Sequence, residues 1–150
     1  EIRPGNFVFF DLMQLELQAC AEEDIAVGVA CPVIAKHAKR RQLVIYGGAV
    51  HFSKEMLPTS DGKSIFGRIC CLNEDGWMPS YRDSYLVGIT QEHGIIDAEV
   101  SLFASVSEGD LLVILPVHSC LTANLQCHYL TTQGQILPNI HSCDAGNSTK

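Results

Sequence analysis

The run Leu111-Leu112-Val113-Ile114-Leu115, continued by Pro116-Val117-His118-Ser119-Cys120, is the most strand-like stretch of the chain and ends in two metal-binding residue types. In an extended segment side chains alternate between faces, so residues two apart point the same way. An imidazole and a thiolate presented together can bind one divalent metal ion, and zinc accepts both donors. A buried histidine and a small apolar cysteine at the end of a core strand would give the same spacing. Both interpretations of His118 and Cys120 stay open at this point.

Short apolar runs recur along the chain at spacings of roughly ten residues, with turn signals between them. This pattern predicts an all-β fold, an antiparallel β-barrel or a sandwich-like domain. One or two short helices are expected, the clearest after Asp11, where apolar residues recur with a weak helical period in Leu12–Cys20. The predicted strands are Asn6–Phe10, Ile25–Ala35 with Pro32 at an edge or bulge, Gln42–Tyr46, Phe66–Leu72, Tyr85–Thr90, Ile95–Ile96, Leu111–Leu115 and a final hairpin of Cys127–Thr132 with Gln135–Leu137.

Length, composition and charge limit the classes of protein that fit. The 150 residues suffice for one domain with its own core, and 47% hydrophobic and 18% charged residues fit a globular protein. A net charge of −7 argues against a nucleic-acid partner, because phosphate binding depends on Lys and Arg. The basic cluster Lys36–Arg41 is predicted to be a solvated hairpin turn. No apolar run reaches the ~20 residues of a membrane helix, so no membrane partner is expected.

The seven cysteines are scattered and form no CxxC pair. This usage predicts neither a disulfide framework nor a structural zinc knuckle, and it favours the reducing cytoplasm. The chain begins with Glu1 and opens on an Arg3-Pro4-Gly5 turn, so we expect it to be a piece of a longer protein. Its polar end, Asp144–Lys150, is predicted to fray.

The histidines are the remaining candidates for catalytic residues, because the sequence contains neither a GxSxG nucleophile motif nor a phosphate-binding glycine loop. His37, in the basic turn, and His141, near the tail, are predicted to face solvent. His51, His93 and His118 each follow an apolar run, where an antiparallel barrel has its rims and functional loops gather. One hypothesis is that His118 and another polar residue face a common pocket. The other is that the histidines have separate structural roles, His93 in a turn and His51 as a hydrogen-bonded polar group under the Phe52 loop.

Three stretches together resemble one family. Arg3-Pro4-Gly5-Asn6-Phe7-Val8-Phe9-Phe10-Asp11-Leu12-Met13-Gln14, Glu92-His93-Gly94 and Pro116-Val117-His118-Ser119-Cys120-Leu121-Thr122-Ala123-Asn124-Leu125 occur in this order and span most of the chain. They resemble an Arg-Pro-Gly turn, a Glu-His-Gly turn and a Pro-x-His-x-Cys-x-Thr-x-Asn-Leu signature. The three motifs are those of the carboxy-terminal domain in one family, the metal-activated pyridoxal-phosphate enzymes of the D-threonine aldolase and D-serine dehydratase type. These enzymes share the two-domain architecture of alanine racemase.

The resemblance implies a site and a reaction. His118 and Cys120 would bind a divalent metal, zinc in the dehydratase-like members, that acts on the β-hydroxyl of a D-amino acid substrate. Pyridoxal phosphate would serve as electron sink. Asn124 is a candidate cofactor contact, and His93 is a candidate catalytic residue. Dehydration, retro-aldol cleavage and racemisation all fit this scaffold.

The family's cofactor lysine lies in an amino-terminal (β/α)8 barrel, and the chain contains no alternation of strands and helices of that kind. The resemblance therefore implies that residues 1–150 are the small domain of a homodimeric enzyme and that this domain is inactive on its own. We do not assign the role of the cofactor lysine to Lys54. The loop Gly47–Glu55 departs from the better-known aldolases, which leaves the substrate open. A free-standing β-barrel that binds a metal or small ligand is the alternative function. Self-association of the isolated domain through an exposed apolar face is also expected.

Overall fold

Six strands close into an antiparallel barrel in the computed structural model, which describes residues 1–2 and 5–139. The strands are β1 Val29–His37, β2 Gln42–Tyr46, β3 Leu57–Pro58, β4 Ser64–Ile65, β5 Gly67–Asn73, β6 Gly76–Trp77, β7 Tyr85–Ile89, β8 His93–Asp97, β9 Leu111–Pro116, β10 His128–Leu130 and β11 Ile136–Pro138. The barrel runs β5-β7-β8-β2-β1-β9 and returns to β5. Strand β6 extends β5 as a hairpin, and β3–β4 and β10–β11 form separate two-stranded ribbons. The predicted all-β class is confirmed.

Strand β9 explains why its sequence is apolar without interruption. It pairs with β1 on one side and with β5 on the other, so it is a central strand. Leu112 and Ile114 point into the barrel core, whereas Val113 and Leu115 pack on the outside in a second core that includes Leu12. Because both faces are buried, no polar residue interrupts the run.

The described part of the chain also contains three short α-helices: α1 Leu12–Glu16, α2 Val100–Ser105 and α3 Ser119–Asn124. Helix α1 was expected from the apolar pattern of Leu12–Cys20, of which it occupies only the first part, whereas no such pattern predicted the six-residue helices α2 and α3. Helix α2 has a tertiary anchor at its carboxyl end, where the Lys36 Nζ donates to the carbonyl oxygens of Phe103, at 2.7 Å, and Val106. Lys36 therefore stabilises a helix instead of facing solvent with the rest of the basic hairpin.

The predicted strand at Asn6–Phe10 is wrong. Asn6–Val8 form a 3-10 turn, in which the Asn6 carbonyl oxygen accepts hydrogen bonds from the backbone N–H of Phe9 and Phe10. Phe10 has a φ of 50°, outside the range of a strand, and the chain then enters α1. The side-chain amide of Asn6 also donates to Asp11, so local polar contacts outweigh the β propensity of the aromatic run.

The other predicted strands are present with small shifts. Strand β1 begins at Val29 instead of Ile25, and its register shifts between Val33 and Ala35, one residue beyond Pro32. The hairpin turn in the basic cluster and the final hairpin are confirmed. Arg3 and Pro4 of the predicted opening turn, His141 and the tail Asp144–Lys150 lie outside the described residues. Within the described range, the helices are too short to cross a bilayer.

Candidate functional site

The chain leaves β9 at Pro116 and turns into α3 at His118. His118 is the N-cap residue, with extended backbone angles of φ −130° and ψ 103°, and its carbonyl oxygen accepts from the Thr122 N–H at 3.2 Å. The extended geometry predicted for His118-x-Cys120 is wrong beyond His118, because Ser119 and Cys120 belong to the helix. Both residues instead lie within one helical turn, whose pitch is about 5.4 Å.

Helix α3 has a buried and an exposed face. Ser119, Thr122 and Ala123 are buried, as residues spaced three and four apart should be when one side of a helix packs inward. Cys120 and Asn124, also four apart, are exposed on the other side, and His118 is half-buried at the helix start. The candidate metal ligand Cys120 and the candidate cofactor contact Asn124 therefore share one accessible face.

A buried carboxylate holds the amino end of α3. Asp11 is completely buried, and its Oδ2 accepts a hydrogen bond from the Ser119 backbone N–H at 2.8 Å. Its Oδ1 accepts from the Gln14 N–H at 3.0 Å and so caps α1. A second link joins the same segments, from the Met13 N–H to the Val117 carbonyl oxygen at 3.3 Å. The first turns of α1 and α3 are thus fixed together through one side chain. This contact could not be predicted from local sequence patterns, because the partners are 108 residues apart.

The carboxyl end of α3 is held by the final hairpin. The Ala123 carbonyl oxygen accepts from the Tyr129 hydroxyl at 2.9 Å and from the Asn139 side-chain amide at 3.2 Å. Farther along, the Gln126 amide donates to the His51 carbonyl oxygen at 3.0 Å, which connects the end of α3 to the loop after β2. Both ends of this short helix are therefore tied to distant segments.

His51 and His93 both contact the ring of Tyr46. The ring centres of Tyr46 and His51 are 5.2 Å apart and those of Tyr46 and His93 are 6.1 Å apart, both in edge-to-face arrangements. His93 is exposed, whereas the Nδ1 of His51 accepts from the Gly48 N–H at 3.2 Å. The structure thus brings together two of the three rim histidines. It adds Tyr46, which the sequence analysis missed and which its place at the end of a strand could have suggested.

The paired glycines allow the loop to approach the strand that carries His93. A Cβ added to Gly48 would lie 2.6 Å from the Gln91 oxygen and the His93 nitrogen, so only glycine fits there. The close approach joins two backbone segments of the protein. This contact fixes the two histidine-bearing loops against each other.

The donor chemistry at the start of α3 suits an open metal site. His118 supplies nitrogen and Cys120 supplies sulfur, the two donor types that zinc accepts in proteins. Among residues 1–2 and 5–139, no group of three or more His, Cys, Asp or Glu side chains is placed to bind a metal. If both residues bound one ion, they would leave further coordination positions for solvent, substrate or another segment, and catalytic zinc sites likewise keep an open position. The residues therefore fit a half-site.

The other titratable candidates lie elsewhere. His37 is exposed at the end of β1, as predicted. The described cysteines are free thiols. Burial raises the pKa of Cys31 and of Cys70 to about 12, which keeps both thiols protonated and unreactive at neutral pH. Cys120 and Cys127, in contrast, are exposed.

Comparison with known proteins agrees with the fold and with the family resemblance. The family model described as "Putative serine dehydratase domain" matches residues 26–132. D-threo-3-hydroxyaspartate dehydratase of Delftia sp. (strain HT23) is 32% identical over 128 residues, which cover 81% of this chain and 33% of that enzyme. D-serine dehydratase of Dictyostelium discoideum is 29% identical over 150 residues, 94% of this chain and 37% of the relative. The chain therefore spans about a third of the length of the curated relatives it matches.

Solved structures give the same result. The Delftia enzyme matches with a TM-score of 0.71 and 31% identity, over 87% of this chain and 36% of that chain. Further solved forms of it include a histidine-to-alanine mutant and a cysteine-to-alanine mutant in the metal-free form, substituted two positions apart. An alanine racemase-like protein from Idiomarina loihiensis matches with a TM-score of 0.72 and 25% identity, over 85% of this chain and 34% of that one. This chain belongs to the serine dehydratase domain family.

Proposed function

We propose that this chain is the carboxy-terminal domain of a pyridoxal-phosphate- and metal-dependent lyase that dehydrates D-configured β-hydroxy amino acids. The names of the relatives from Delftia and Dictyostelium support dehydration over retro-aldol cleavage or racemisation. The observation that carries the proposal is the His118-x-Cys120 pair, which begins a helix whose Cys120 face is accessible.

His118 and Cys120 are the proposed ligands of a divalent metal ion, zinc by its donor preference. The same residue types, two positions apart, are substituted in solved forms of the Delftia enzyme, and its cysteine mutant is described as metal-free. When bound, zinc supplies a Lewis acid that can act on a substrate hydroxyl. The half-buried His118 and the anchored backbone of Ser119 restrict the two donors to one region of the surface.

The cofactor lies, in this proposal, mainly on an amino-terminal barrel domain beyond this chain. Pyridoxal phosphate, when bound, supplies the electron sink for the reaction. Asn124 offers an amide on the face of Cys120, and exposed His93 is a candidate proton carrier. We further propose a homodimer in the cytoplasm, where the free thiols of this chain would persist.

The test is a pair of substitutions in the full-length protein. His118→Ala and Cys120→Ala should each lower the bound metal from about one ion per chain to a small fraction. They should also remove most of the dehydratase activity on D-serine and D-threo-3-hydroxyaspartate. Cys127→Ala and His128→Ala replace exposed residues of the same types beyond the end of α3 and should keep both metal and activity. Elemental analysis and an assay of the keto-acid product measure the two outcomes.

Full metal content and turnover in both His118→Ala and Cys120→Ala would contradict the proposal. Metal binding without dehydration of any D-β-hydroxy amino acid would favour the binding-module alternative.

A further inference from the structure

Asp11 occupies a special position relative to the proposed metal ligands. Asp11 accepts a hydrogen bond from the N–H of Ser119, which is the single residue between His118 and Cys120. That bond is 2.8 Å long and buried, so water does not compete for the N–H. Asp11 therefore acts on the backbone that determines where both donor side chains begin.

The helix itself offers little resistance to displacement. Helix α3 has six residues, and the side chain of its N-cap residue His118 makes no capping hydrogen bond. Helices of this length are marginal without external contacts, because the cost of nucleation is spread over few hydrogen bonds. The carboxylate of Asp11 supplies the capping interaction from another part of the chain.

The carboxylate is also held by its other partners. Its Oδ1 accepts from the Gln14 N–H at 3.0 Å, and the Asn6 side-chain amide donates to Oδ2. An amide in place of the carboxylate has one acceptor oxygen and an NH2 group that faces donors. The carboxylate accepts the Gln14 N–H on one oxygen and the Ser119 N–H on the other. An asparagine at position 11 has a single acceptor oxygen, so one of these two hydrogen bonds is lost.

We propose that Asp11 is a positioning residue for the metal site, which fixes the backbone between His118 and Cys120 through the Ser119 N–H. The inference rests on the proposed function, because it requires that these two residues bind metal. Partners beyond the direct ligands commonly change metal affinity by about 10- to 100-fold when they are removed. Asp11→Asn should weaken metal binding by an amount in this range.

The experiment measures the affinity of the full-length protein for Zn2+ by competition with a chromophoric chelator, after removal of the native metal. Asp11→Asn should lower the affinity about 10-fold or more. Glu22→Gln is the matched control, because Glu22 also accepts several hydrogen bonds but contacts Ser80 and Arg68, not α3. Asn6→Ala removes a partner of Asp11 and leaves its two backbone contacts, so it should change the affinity by less than about 3-fold.

A second variant separates positioning from general stability. Leu12→Ala opens a cavity beside Asp11 without removing the acceptor of the Ser119 N–H, and it should destabilise the protein more than Asp11→Asn does. If stability alone set metal affinity, Leu12→Ala would weaken binding more. Our proposal predicts the reverse order.

X-ray absorption of the Co2+-loaded protein provides a readout of geometry. The cobalt–sulfur signal of Cys120 should persist in Leu12→Ala and weaken or disappear in Asp11→Asn. Equal affinity and an unchanged sulfur signal in a folded Asp11→Asn protein would overturn the role of Asp11. No Zn2+ binding by the wild type, or binding that His118→Ala leaves intact, would instead overturn the proposed metal site.

Discussion

Asp11 and Glu22 both connect the amino-terminal segment to later parts of the chain through several hydrogen bonds, yet they do so at very different places. Asp11 is completely buried and links α1 to α3. Glu22 is half-buried and accepts from the Ser80 N–H at 2.7 Å, the Ser80 hydroxyl at 2.6 Å and the Arg68 guanidinium at 3.3 Å. The two carboxylates thus make similar numbers of contacts with different neighbours.

This contrast indicates that the place of an anchoring side chain in the fold, and not its number of hydrogen bonds, decides its effect on function. Glu22 holds a barrel strand and a surface loop, and its side chain and that of Arg68 remain 24% and 31% exposed. Asp11 holds the helix that begins with both proposed metal ligands. Loss of Glu22 should therefore change stability alone, whereas loss of Asp11 should change the site as well.

The largest expected effect tests how firmly the Asp11 region is packed. Leu12→Ala removes a side chain that is 1% exposed in the second core, and it should lower the free energy of unfolding by about 3 kcal/mol. Leu17→Ala, at the end of the same helix and 73% exposed, should change it by less than about 0.5 kcal/mol. Urea unfolding at neutral pH measures both. Equal effects at the two leucines would mean that α1 is not part of a packed layer.

A smaller effect, with a defined pH dependence, is expected at Glu22. Burial opposes ionisation of Glu22, but the hydrogen bonds from Ser80 and the nearby Arg68 outweigh it and hold the pKa below its ordinary 4.5. The folded state therefore gains stability from Glu22 above pH 4.5 and loses it as the pH falls through the lowered pKa.

The substitution Glu22→Gln should cost about 1 kcal/mol at pH 7, and the difference from the wild type should shrink below pH 4.5. Unfolding curves collected from pH 7 to pH 3 test this. If the difference in free energy of unfolding between the two proteins stays constant from pH 7 to pH 3, the negative charge of Glu22 does not contribute to stability.

The smallest expected effect concerns Cys70, which lies near Glu22. Burial is the main cause of its raised pKa of about 12, and the negative charge of Glu22 adds to it. Iodoacetamide at pH 8 should modify exposed Cys120 and Cys127 first and leave Cys70 unmodified until the protein unfolds. Glu22→Gln should not expose Cys70, because its burial is unchanged. Mass spectrometry of the peptides identifies the modified thiols, and rapid modification of Cys70 in the native protein would contradict its burial.

Much of the fold could be predicted from local pattern. Alternating and continuous apolar runs give the barrel strands, because each strand must bury one or both faces. The three short helices are harder. Of these, α1 was expected, whereas α2 and α3 depend on partners such as Lys36 and Asp11 that are far away in sequence.

An antiparallel all-β domain, either a barrel or a sandwich, follows from the sequence alone, as do most of its strands and the candidate pair His118 and Cys120 two residues apart. Only the folded structure shows that the strands close into a barrel, that this pair begins a helix held by Asp11, and that His51 and His93 both contact Tyr46. The two cases differ in how far apart along the sequence the contacting residues lie. Strand patterns follow from burial along a continuous segment, whereas a six-residue helix is too short to be stable alone and takes its position from contacts made across the fold.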